Sequence, residues 1–427
     1  MKRALLPALT LIIAACSPPK EKPAGVRWPG EFEPQQAVWL CWAGDSVFDA
    51  VSVNMLRALL PHVQVRMAVA SDSLINTCKM DLSRAGVDAS TIEFHTIPGV
   101  EYWMRDCGAT YVLDNGSLRA VDFTWDTYAY RDWLIALFEG DTLRADTLMG
   151  KTSAVGRGTS DSLCARAEGT PLRASWFRTE GGAIESNGQG TLIITEPLAL
   201  QRNHGASKDS MAHELERVLG VTNMIWLPHG VAEDPHMWQT IAPGYFAIGC
   251  GGHTDEYVRF ADAHTILLAW VPEEEKDANA VDRVNYERLS ADYDVLTKAT
   301  DQDGKPFRVV KVPMPDLRTM RTVMLPPKQW DDGRNVPVSV FRKKDGWAVG
   351  DSALRVAAAT YMNYYVTNGA VLLPSYVPAG SSAKKEEEVK RIFTEAFPGR
   401  ELIFIDAMML NWEGGGIHCG TQQVPQL

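Results

Sequence analysis

The chain has 427 residues, of which 45% are hydrophobic and 22% charged, so it has the composition of a folded globular protein with ample material for a core. Lys and Arg number 42 against 53 Asp and Glu, which gives a formal net charge of −11. An acidic chain of this kind argues against nucleic acid as a partner, because a basic surface is what attracts phosphates.

The N-terminal segment has the features of a secretion signal. In "MKRALLPALTLIIAAC" two basic residues precede an apolar run over residues 4–15, and small residues come immediately before Cys16. The run is too short for a permanent membrane span, and its ending at a cysteine resembles a bacterial lipoprotein signal. We therefore predict a signal peptide over residues 1–15, a lipidated Cys16 and a solvated tether over residues 16–25. The protein would then be exported and held by its lipid on a periplasm-facing membrane or the cell surface, unless the apolar start is left uncleaved.

The mature chain alternates short apolar segments with amphipathic ones, which predicts an α/β fold. Helical spacing places the apolar residues of "SKDSMAHELERVLG" on one face, and the same holds for "AKKEEEVKRIFTEAF". Gly, Asn or Pro punctuates the predicted strands, which lie within residues 190–197, 264–271 and 368–376.

One segment departs from this alternation. Residues 137–175 show no clear periodicity and are rich in Asp, Arg, Gly and Thr, which predicts an insertion or a long surface excursion. Elsewhere the chain has no repeat of fixed length, yet a strand, a glycine turn and a polar residue keep returning together.

Several of these polar residues lie beside glycine, where a ligand can approach the backbone closely. They are Asp106 in "YWMRDCGATYVL", Glu180 in "RTEGGAIESNGQGT", His253 and Asp255 in "GCGGHTDEYVRF", and Cys419 in "NWEGGGIHCGTQQVP". The spacing of His253 and Asp255 predicts that they project from one face of a strand. Each acid taken singly is more simply interpreted as a turn residue, so the argument depends on the combination.

A thiol, an imidazole and several carboxylates together favour a cysteine nucleophile acting on a cation. Peptide hydrolysis places negative charge on an oxygen, which carboxylates would oppose. A guanidinium, by contrast, stays positively charged and presents planar N–H groups that match carboxylates in pairs. The acids can therefore hold a guanidinium while the thiolate attacks its central carbon.

The same segments resemble the agmatine deiminase and bacterial (Porphyromonas-type) peptidylarginine deiminase family, within the guanidine-modifying pentein superfamily. This resemblance implies a single deiminase domain over residues 26–427 with a five-bladed pseudo-symmetric α/β propeller, the pentein fold. The matching segments run in order through the chain: "WPGEFEPQQAVWLCW", "YWMRDCGATYV", "EGGAIESNGQGTLIITEPLALQRN", "GGHTDEYVRFAD", "YMNYYVTNGAVLLPSY" and "GGGIHCGTQQVP".

Position by position, the resemblance makes Cys419 the nucleophile and His253 the general acid and base. Asp106 and Asp255 match carboxylates that hold the guanidinium, and Glu180 matches a further acid of the agmatine-type motif. His418, which precedes Cys419, and Arg105, which precedes Asp106, are expected to make only structural contacts.

The resemblance also implies residues that border the substrate. Trp103 matches a wall of the pocket, and either Asn363 or Asn368 matches a supporting polar residue. The stretch "VDFTWDTYAYRD" is expected to border the far end of the substrate, and it supplies Asp126 and Arg131.

The implied mechanism is a two-step hydrolysis without cofactor or metal. Cys419 forms a covalent amidino-thioether, and His253 protonates the departing ammonia and then activates water. A metal site built from His253, Asp255 and Glu256 is a weaker alternative, because no further ligands cluster at metal-like spacing.

The substrate is less clearly indicated than the reaction. Cys107 and Ala109 stand where relatives usually carry a bulkier residue and proline, and "HGVAEDPHMWQTIAPGYFAIGC" is longer than in simple agmatine deiminases. The motifs look closer to the agmatine branch, whereas an exported enzyme cannot serve a cytosolic agmatine pool. Location therefore predicts an arginine-containing peptide or another extracytoplasmic guanidine as the substrate.

Two other classes of function stay open at this point. A cysteine peptidase or amidase would use the same Cys and His pair, and a non-catalytic surface lipoprotein would keep the fold as a binding module. Release of ammonia and a ureido product from arginine compounds would support the deiminase alone.

Overall fold

The structure is a computed structural model that describes residues 25–150, 157–327 and 335–427. The predicted signal peptide, the lipidated Cys16 and nearly all of the predicted tether lie outside these described residues, so they stay predictions. None of the helices in the described ranges is long and apolar enough to cross a membrane.

Strands and helices alternate along the described chain, as the sequence predicts. The strands are β1 Val26–Arg27, β2 Gln35–Cys41, β3 Gln64–Val69, β4 Glu93–Thr96, β5 Thr110–Asp114, β6 Ser117–Thr124, β7 Leu172–Arg178, β8 Ile184–Ser186, β9 Thr191–Thr195, β10 Asn223–Leu227, β11 Gln239–Ala242, β12 Tyr245–Ala247, β13 Val258–Asp262, β14 Thr265–Trp270, β15 Arg308–Pro313, β16 Thr319–Leu325, β17 Asn335–Pro337, β18 Ser352–Val356, β19 Tyr365–Val366, β20 Ala370–Pro374, β21 Glu401–Ile405 and β22 Gln422–Pro425. The helices are α1 Ser46–Leu59, α2 Asp72–Arg84, α3 Met104–Cys107, α4 Tyr130–Leu137, α5 Thr142–Met149, α6 Ser160–Ala167, α7 Glu196–Arg202, α8 Lys208–Leu219, α9 Ala280–Leu296, α10 Ala383–Ala396 and α11 Met408–Trp412.

The same small unit of structure recurs along the chain. In each unit two strands pair antiparallel, a helix follows, and a third strand then pairs parallel with the second. This recurrence is what the predicted five-bladed α/β propeller requires of its blades. The described residues form five such units: β22–β2–α1–β3, β5–β6–α6–β7, β8–β9–α8–β10, β13–β14–α9–β15 and β19–β20–α10–β21.

The first unit combines strands from the two ends of the domain. β22, close to the C-terminus, pairs antiparallel with β2, and Trp39 lies opposite Gln422. Cys419 immediately precedes β22, so this pairing fixes the thiol against residues that come almost 400 positions earlier in the sequence.

The two helices predicted from apolar spacing are confirmed. The side chain of Ser207 accepts a hydrogen bond from the Ser210 N–H at the start of α8, and the helix stops at Gly220, whose φ of 72° favours glycine. The apolar faces of α8 and α10 are buried as predicted: Met211, Leu215, Val218 and Leu219 in α8, and Val389, Ile392 and Phe393 in α10.

The described parts of residues 137–175, which exclude residues 151–156, are more regular than their sequence indicates. The segment contains α5, α6 and the first residues of β7. The core side of α6 explains why the pattern is hard to interpret, since Cys164 and Ala165 are small and bury little apolar surface individually. Whether the segment is an insertion stays a prediction.

A further sheet, in the order β11–β12–β18–β16–β17, stands outside the five units. Its apolar side packs against α4 and α5 around Trp133, Trp238 and Phe246. The β11–β12 hairpin lies between β10 and β13, in the stretch that is expected from its sequence to be longer than in relatives. We call this sheet with α4 and α5 the cap.

Candidate active site

Each of the five units contributes polar side chains from the loop just before its first strand. Asp106 precedes β5, Glu180 precedes β8, Asn363 precedes β19 and Cys419 precedes β22, while His253 and Asp255 both precede β13. Because equivalent loops of the repeated units lead to the same place, residues separated by hundreds of positions meet there. The predicted site residues Cys419, His253, Asp106, Asp255 and Glu180 are all buried together.

The prediction that His253 and Asp255 lie on a strand is wrong. His253 has extended backbone angles but precedes a single 3-10 turn over Thr254–Glu256, and β13 begins only at Val258. The two side chains still converge, with His253 Nδ1 4.0 Å from Asp255 Oδ1, because the tight turn brings them to the same side.

The sulfur of Cys419 has polar neighbours on several sides. The side-chain amide of Asn363 donates to Sγ at 3.1 Å, and Sγ lies 3.5 Å from Asp255 Oδ2 and 3.8 Å from Glu256 Oε1. The side-chain amide of Asn363 also donates to Glu256 at 2.8 Å, and the side-chain oxygen Oδ1 of Asn363 accepts from the His418 N–H at 2.8 Å. Asn363 therefore contacts the thiol, the Glu256 carboxyl group and the backbone of residues 413–419, which we call the nucleophile loop after the role predicted for Cys419.

His253 lies among carboxylates. Its Nδ1 is 3.8 Å from Asp106 Oδ1, and its Nε2 is 3.4 Å from Glu180 Oε2. Glu180 is fixed on its other side by Arg202, whose Nε donates to it at 2.8 Å. Asp255 lies between His253 and Cys419, with one oxygen 4.0 Å from His253 Nδ1 and the other 3.5 Å from Cys419 Sγ.

Asp106 is held by two donors. The backbone N–H of Gly182 donates to its Oδ1 and the hydroxyl of Tyr128 to its Oδ2, each at 3.0 Å. Gly182 is also required sterically, since a Cβ there would lie 2.8 Å from His253 Nδ1 and 2.9 Å from oxygens of Asp106 and Asp255. The space above Gly182 is thus the space that these groups share.

The thiol of Cys419 is neutral in the free protein. Burial raises its pKa well above the usual range, and the charges of Asp255, Glu256 and Asp106 raise it further. Burial, followed by repulsion from Asp255, likewise raises the pKa of Glu256 well above its usual range. The pKa of Asp255 is lowered, because hydrogen bonding and attraction to His418 outweigh its burial.

His253 is positively charged across the neutral pH range. Burial alone would lower its pKa, but Asp106 and then Glu180 raise it to about 10. Burial raises the pKa of Asp106 to about 6 against the opposing effect of His253. For Glu180 the neighbouring groups outweigh burial: burial would raise the pKa of Glu180, but Arg202 and His253 lower it to about 2.

A buried charge network lies behind the nucleophile. The ring nitrogens of His418 lie 2.7 Å from Asp255 Oδ2 and 2.7 Å from Glu31 Oε2. Arg105 and Arg259 also contact the Glu31 carboxylate, each at 2.9 Å. Arg105 makes the salt bridge that was predicted for it. His418 hydrogen-bonds within this network, but it also contacts Asp255 of the site.

The sulfur opens into a cavity of about 160 Å³, which we call the catalytic cavity. It is nearly closed, since Cys419 is 4% exposed and His253 1%. Its walls come from the loops that carry Cys419 and Asp106 and from the segments that flank α4, β11 and β12 of the cap: Trp103, Asp106, Tyr128, Met237, Ile248, Gly249, Cys250, Glu413, Gly414, Gly415 and Cys419.

The structure separates the remaining predicted residues. Trp103 lines the catalytic cavity as predicted, and Asn363 is the asparagine at the site. Asn368 instead bonds the backbone of Gln35. The stretch around residue 363 is a turn before β19.

The predicted substrate contact of Arg131 has no support in its position. Its guanidinium pairs with Asp146 at 2.6 Å, and both side chains are about half exposed on the cap surface. It is outside the lining of the catalytic cavity. Asp126 accepts from the Ala129 N–H and lies 3.6 Å from Arg178, so it shapes the loop that carries Tyr128.

Sequence reasoning missed Tyr128, Cys250 and Glu413 as cavity residues. Tyr128 is held over Asp106 by an unusual backbone, in which residues 127–129 all have positive φ between 53° and 59°. No periodic pattern announces such a loop. Cys250 and Glu413 adjoin glycine motifs, and that position is the one signal that could have indicated them.

Two groups of metal-capable side chains occur in the described residues: Asp106 with Cys250 and His253, and Asp255 with Glu256 and Cys419. The metal site considered in the sequence analysis consisted of His253, Asp255 and Glu256. In the structure His253 belongs to the first group, and Asp255 and Glu256 belong to the second. Both groups belong to the cluster that surrounds the thiol.

Comparison with known proteins identifies the family of this chain. The sequence profile of the Porphyromonas-type peptidyl-arginine deiminase family matches residues 27–425. Among curated relatives, agmatine deiminase of Stutzerimonas stutzeri is 29% identical over 94% of this chain and 96% of its own length. Agmatine deiminase of Pseudomonas aeruginosa strain LESB58 is 27% identical, with the same shares of the two chains covered.

Solved structures show the same fold. Agmatine deiminase of Enterococcus faecalis superposes with a TM-score of 0.69 at 22% identity, over 94% of this chain and 96% of the other. A C. jejuni agmatine deiminase variant with substrate bound gives a TM-score of 0.67 at 19% identity, with the same coverage. The α/β fold class predicted from the sequence is confirmed.

Proposed function

This chain belongs to the Porphyromonas-type peptidyl-arginine deiminase family, and from that premise we propose that Cys419 is the nucleophile in the deimination of a small guanidine. The chain is an enzyme, a hydrolase of amidine C–N bonds, as its agmatine deiminase relatives are. The finer proposal rests on one observation. A buried thiol is surrounded by the carboxyl groups of Asp106, Asp255 and Glu256.

These acids suit a guanidinium ion. Within the described chain, Asp255 Oδ1 is buried without a hydrogen-bond partner, so it can accept an N–H from the substrate. Asp106 uses one lone pair on each oxygen for Gly182 and Tyr128, and its other lone pairs are available. A planar cation between the two carboxylates would satisfy acceptors that are costly to leave buried and unpaired.

The substrate itself would activate the nucleophile. Asp255, Glu256 and Asp106 hold Cys419 as a thiol while the site is free. A guanidinium bound among them offsets this repulsion and favours the thiolate beside it. The amide of Asn363, 3.1 Å from Sγ, stabilises the same anion. The thiol proton leaves to solvent in this step.

The reaction then proceeds in two balanced steps. Thiolate Sγ bonds to the guanidinium carbon, and one C–N bond breaks as its nitrogen takes a proton from His253 and leaves as ammonia. Neutral His253 next removes a proton from water, the hydroxide bonds to the same carbon, and the C–S bond breaks. The products are a ureido compound, free Cys419 and reprotonated His253.

The size of the catalytic cavity favours a small substrate. Its volume of about 160 Å³ is below the ~300–1,000 Å³ typical of pockets that bind drug-sized ligands. A peptide backbone would have to stay outside this cavity, whereas a short alkylguanidine fits inside it. We therefore propose an agmatine-like compound, and the arginine-peptide substrate expected from location becomes the alternative in the test.

Export remains part of the proposal. The segment with Cys16 supports a lipoprotein, and a lipid-anchored enzyme would meet small guanidines outside the cytoplasm. Incorporation of labelled palmitate into the full chain, and its loss in Cys16→Ser, would support the anchor. Equal labelling of both proteins would contradict it.

The function is tested with a panel of agmatine, free arginine and arginine peptides, read by ammonia release and ureido colour. We expect turnover of agmatine and at least ~100-fold lower kcat/KM for peptides, a difference of about 2.7 kcal/mol in transition-state binding. Absence of ureido product from every guanidine would contradict the function. A preference for peptides would leave deimination standing and overturn the choice of substrate.

A further inference from the structure

The catalytic cavity has a second acid, far more accessible than the first. Asp106 is 7% exposed, whereas Glu413 is an exposed residue at the beginning of the nucleophile loop. None of the described residues that line this cavity is Lys, Arg or His. The cavity therefore carries a carboxylate deep inside and another at its rim.

Glu413 makes no ion pair or side-chain hydrogen bond with the residues that the structure describes. Arg355 is close enough to attract it, but the Arg355 guanidinium donates to the backbone oxygen of Trp412 and lies 5.0 Å from the ring centre of Trp238. The Glu413 carboxylate is thus solvent-accessible and available for a ligand.

The backbone from Glu413 to the sulfur sets a distance. Gly415 abuts the nucleophile, since a Cβ there would lie 3.2 Å from Cys419 Sγ, and Gly414 abuts the Ile248 carbonyl on the cap side. Glu413 is two residues before Gly415, so their Cα atoms are at most ~7 Å apart. The loop therefore covers at most ~7 Å between Gly415, beside Cys419 Sγ, and Glu413 at the rim of the catalytic cavity.

A four-carbon spacer has a matching length. Six covalent bonds join the guanidinium carbon of a 4-aminobutylguanidine to its terminal nitrogen, the same number as in two extended residues, or ~7 Å. An ammonium at that end would come within reach of Glu413 while the guanidinium carbon lies at Sγ.

We propose that Glu413 is a specificity residue that binds a second cationic group, a primary ammonium, at the end of the substrate remote from the guanidinium. This inference rests on the proposed function and narrows it from guanidines in general to dicationic ones. An α-carboxylate at the same end, as in free arginine, would face Glu413 unfavourably. An uncharged end would gain nothing from it.

The test compares two substrates of the same shape. Agmatine ends in an ammonium, and pentylguanidine ends in a methyl group at the same place. We expect wild-type protein to prefer agmatine by at least ~10-fold in kcat/KM, as for one hydrogen bond to a charged group. In Glu413→Gln the preference should fall to about 2-fold or less, with the loss found in KM for agmatine and pentylguanidine unchanged.

Controls separate this inference from the function beneath it. Glu388→Gln removes an exposed acid on α10, and it should keep the wild-type preference. Glu413→Lys should lower kcat/KM for agmatine by ~100-fold or more while free arginine loses less or gains. If wild type hydrolyses both guanidines and Glu413→Gln keeps the wild-type preference, the Glu413 inference fails alone. If wild type hydrolyses neither, the proposed function fails first.

Discussion

Asp255 Oδ2 lies 3.5 Å from Cys419 Sγ while it also accepts a hydrogen bond from His418 at 2.7 Å. The acid nearest the nucleophile is therefore an anion, and it opposes ionisation of the thiol in the free enzyme. Under the proposed function, a cationic substrate offsets this repulsion and a neutral molecule leaves the thiol protonated.

The first prediction concerns the nucleophile. Cys419→Ser should lower kcat for every guanidine by ~10³-fold or more, because an alcohol without a strong base is far less nucleophilic than a thiolate. The measurement is ureido product over a long incubation. Cys250→Ser replaces a second thiol of the cavity and is a comparison for non-specific effects of losing a sulfur. Equal activity of Cys419→Ser and wild type would remove Cys419 from the mechanism.

A second prediction concerns reagents that mimic the substrate. Because burial and carboxylates raise the pKa of Cys419, neutral iodoacetamide should alkylate it slowly at pH 7. A haloacetamidine, which is cationic, should react at least ~100-fold faster by entering among the acids and favouring the thiolate. Mass spectrometry of the peptide that contains residue 419 identifies the adduct. Similar rates for the two reagents would contradict substrate-assisted ionisation.

The third prediction concerns the guanidinium contact of Asp106. Asp106→Asn should lower kcat/KM by ~10²–10³-fold for all guanidines, because an amide presents donors to a group that itself has only donors. Asp294→Asn, on an exposed face of α9, is the matched control and should behave as wild type. Normal turnover by Asp106→Asn would return Asp106 to the role of a turn residue.

The fourth prediction uses the space above Gly182. Gly182→Ala places a methyl group 2.8–2.9 Å from His253, Asp106 and Asp255, where the guanidinium is expected to bind. The value of kcat/KM should fall by ~10²-fold or more, because the methyl group occupies the space of the guanidinium. The unfolding temperature, measured alongside, should show that the variant is still folded at the assay temperature. Gly150→Ala, whose added methyl group meets its nearest atom at an ordinary 3.5 Å, should be silent.

The fifth prediction separates the two asparagines that the sequence leaves open. Asn363→Ala should lower kcat by ~10–100-fold and slow thiol alkylation, because Sγ loses its 3.1 Å donor. Asn368→Ala removes contacts with the backbone of Gln35, so it should reduce the free energy of unfolding by ~1 kcal/mol and leave thiol reactivity unchanged. Equal effects on alkylation would refute the distinction.

The last prediction concerns pH. The pKa of His253 is raised to about 10, so the imidazolium that protonates ammonia persists through neutral pH, and kcat/KM should fall as the pH rises through about 10. Stability follows the same sign. A raised folded pKa contributes fully below the unfolded value of ~6.5 and is lost as the pH rises through 10. His253→Gln should therefore lose less stability than wild type between pH 6 and pH 10.

The sequence by itself determined the reaction class and predicted which residues would carry out the reaction. Motifs that pair glycine with Asp106, Glu180, His253 and Cys419 indicate a thiol site that is rich in acids. Such a site suits a cationic substrate, because carboxylates beside a nucleophile oppose reactions that develop negative charge. Apolar spacing likewise determined helices such as α8, since the burial of one face is a local property.

Only the tertiary structure decided which side chains meet and what their charges do. Asn363 and Asn368 are alike in sequence, yet one touches sulfur and the other backbone, because each lies on a different side of β19. Tyr128 became a cavity residue through a loop with positive φ, and Glu413 did so through the loop that leads to Cys419, whereas Arg131 lies outside the cavity lining. The physical reason is that pKa, burial and distance depend on neighbours brought together from all five units, which no local pattern encodes.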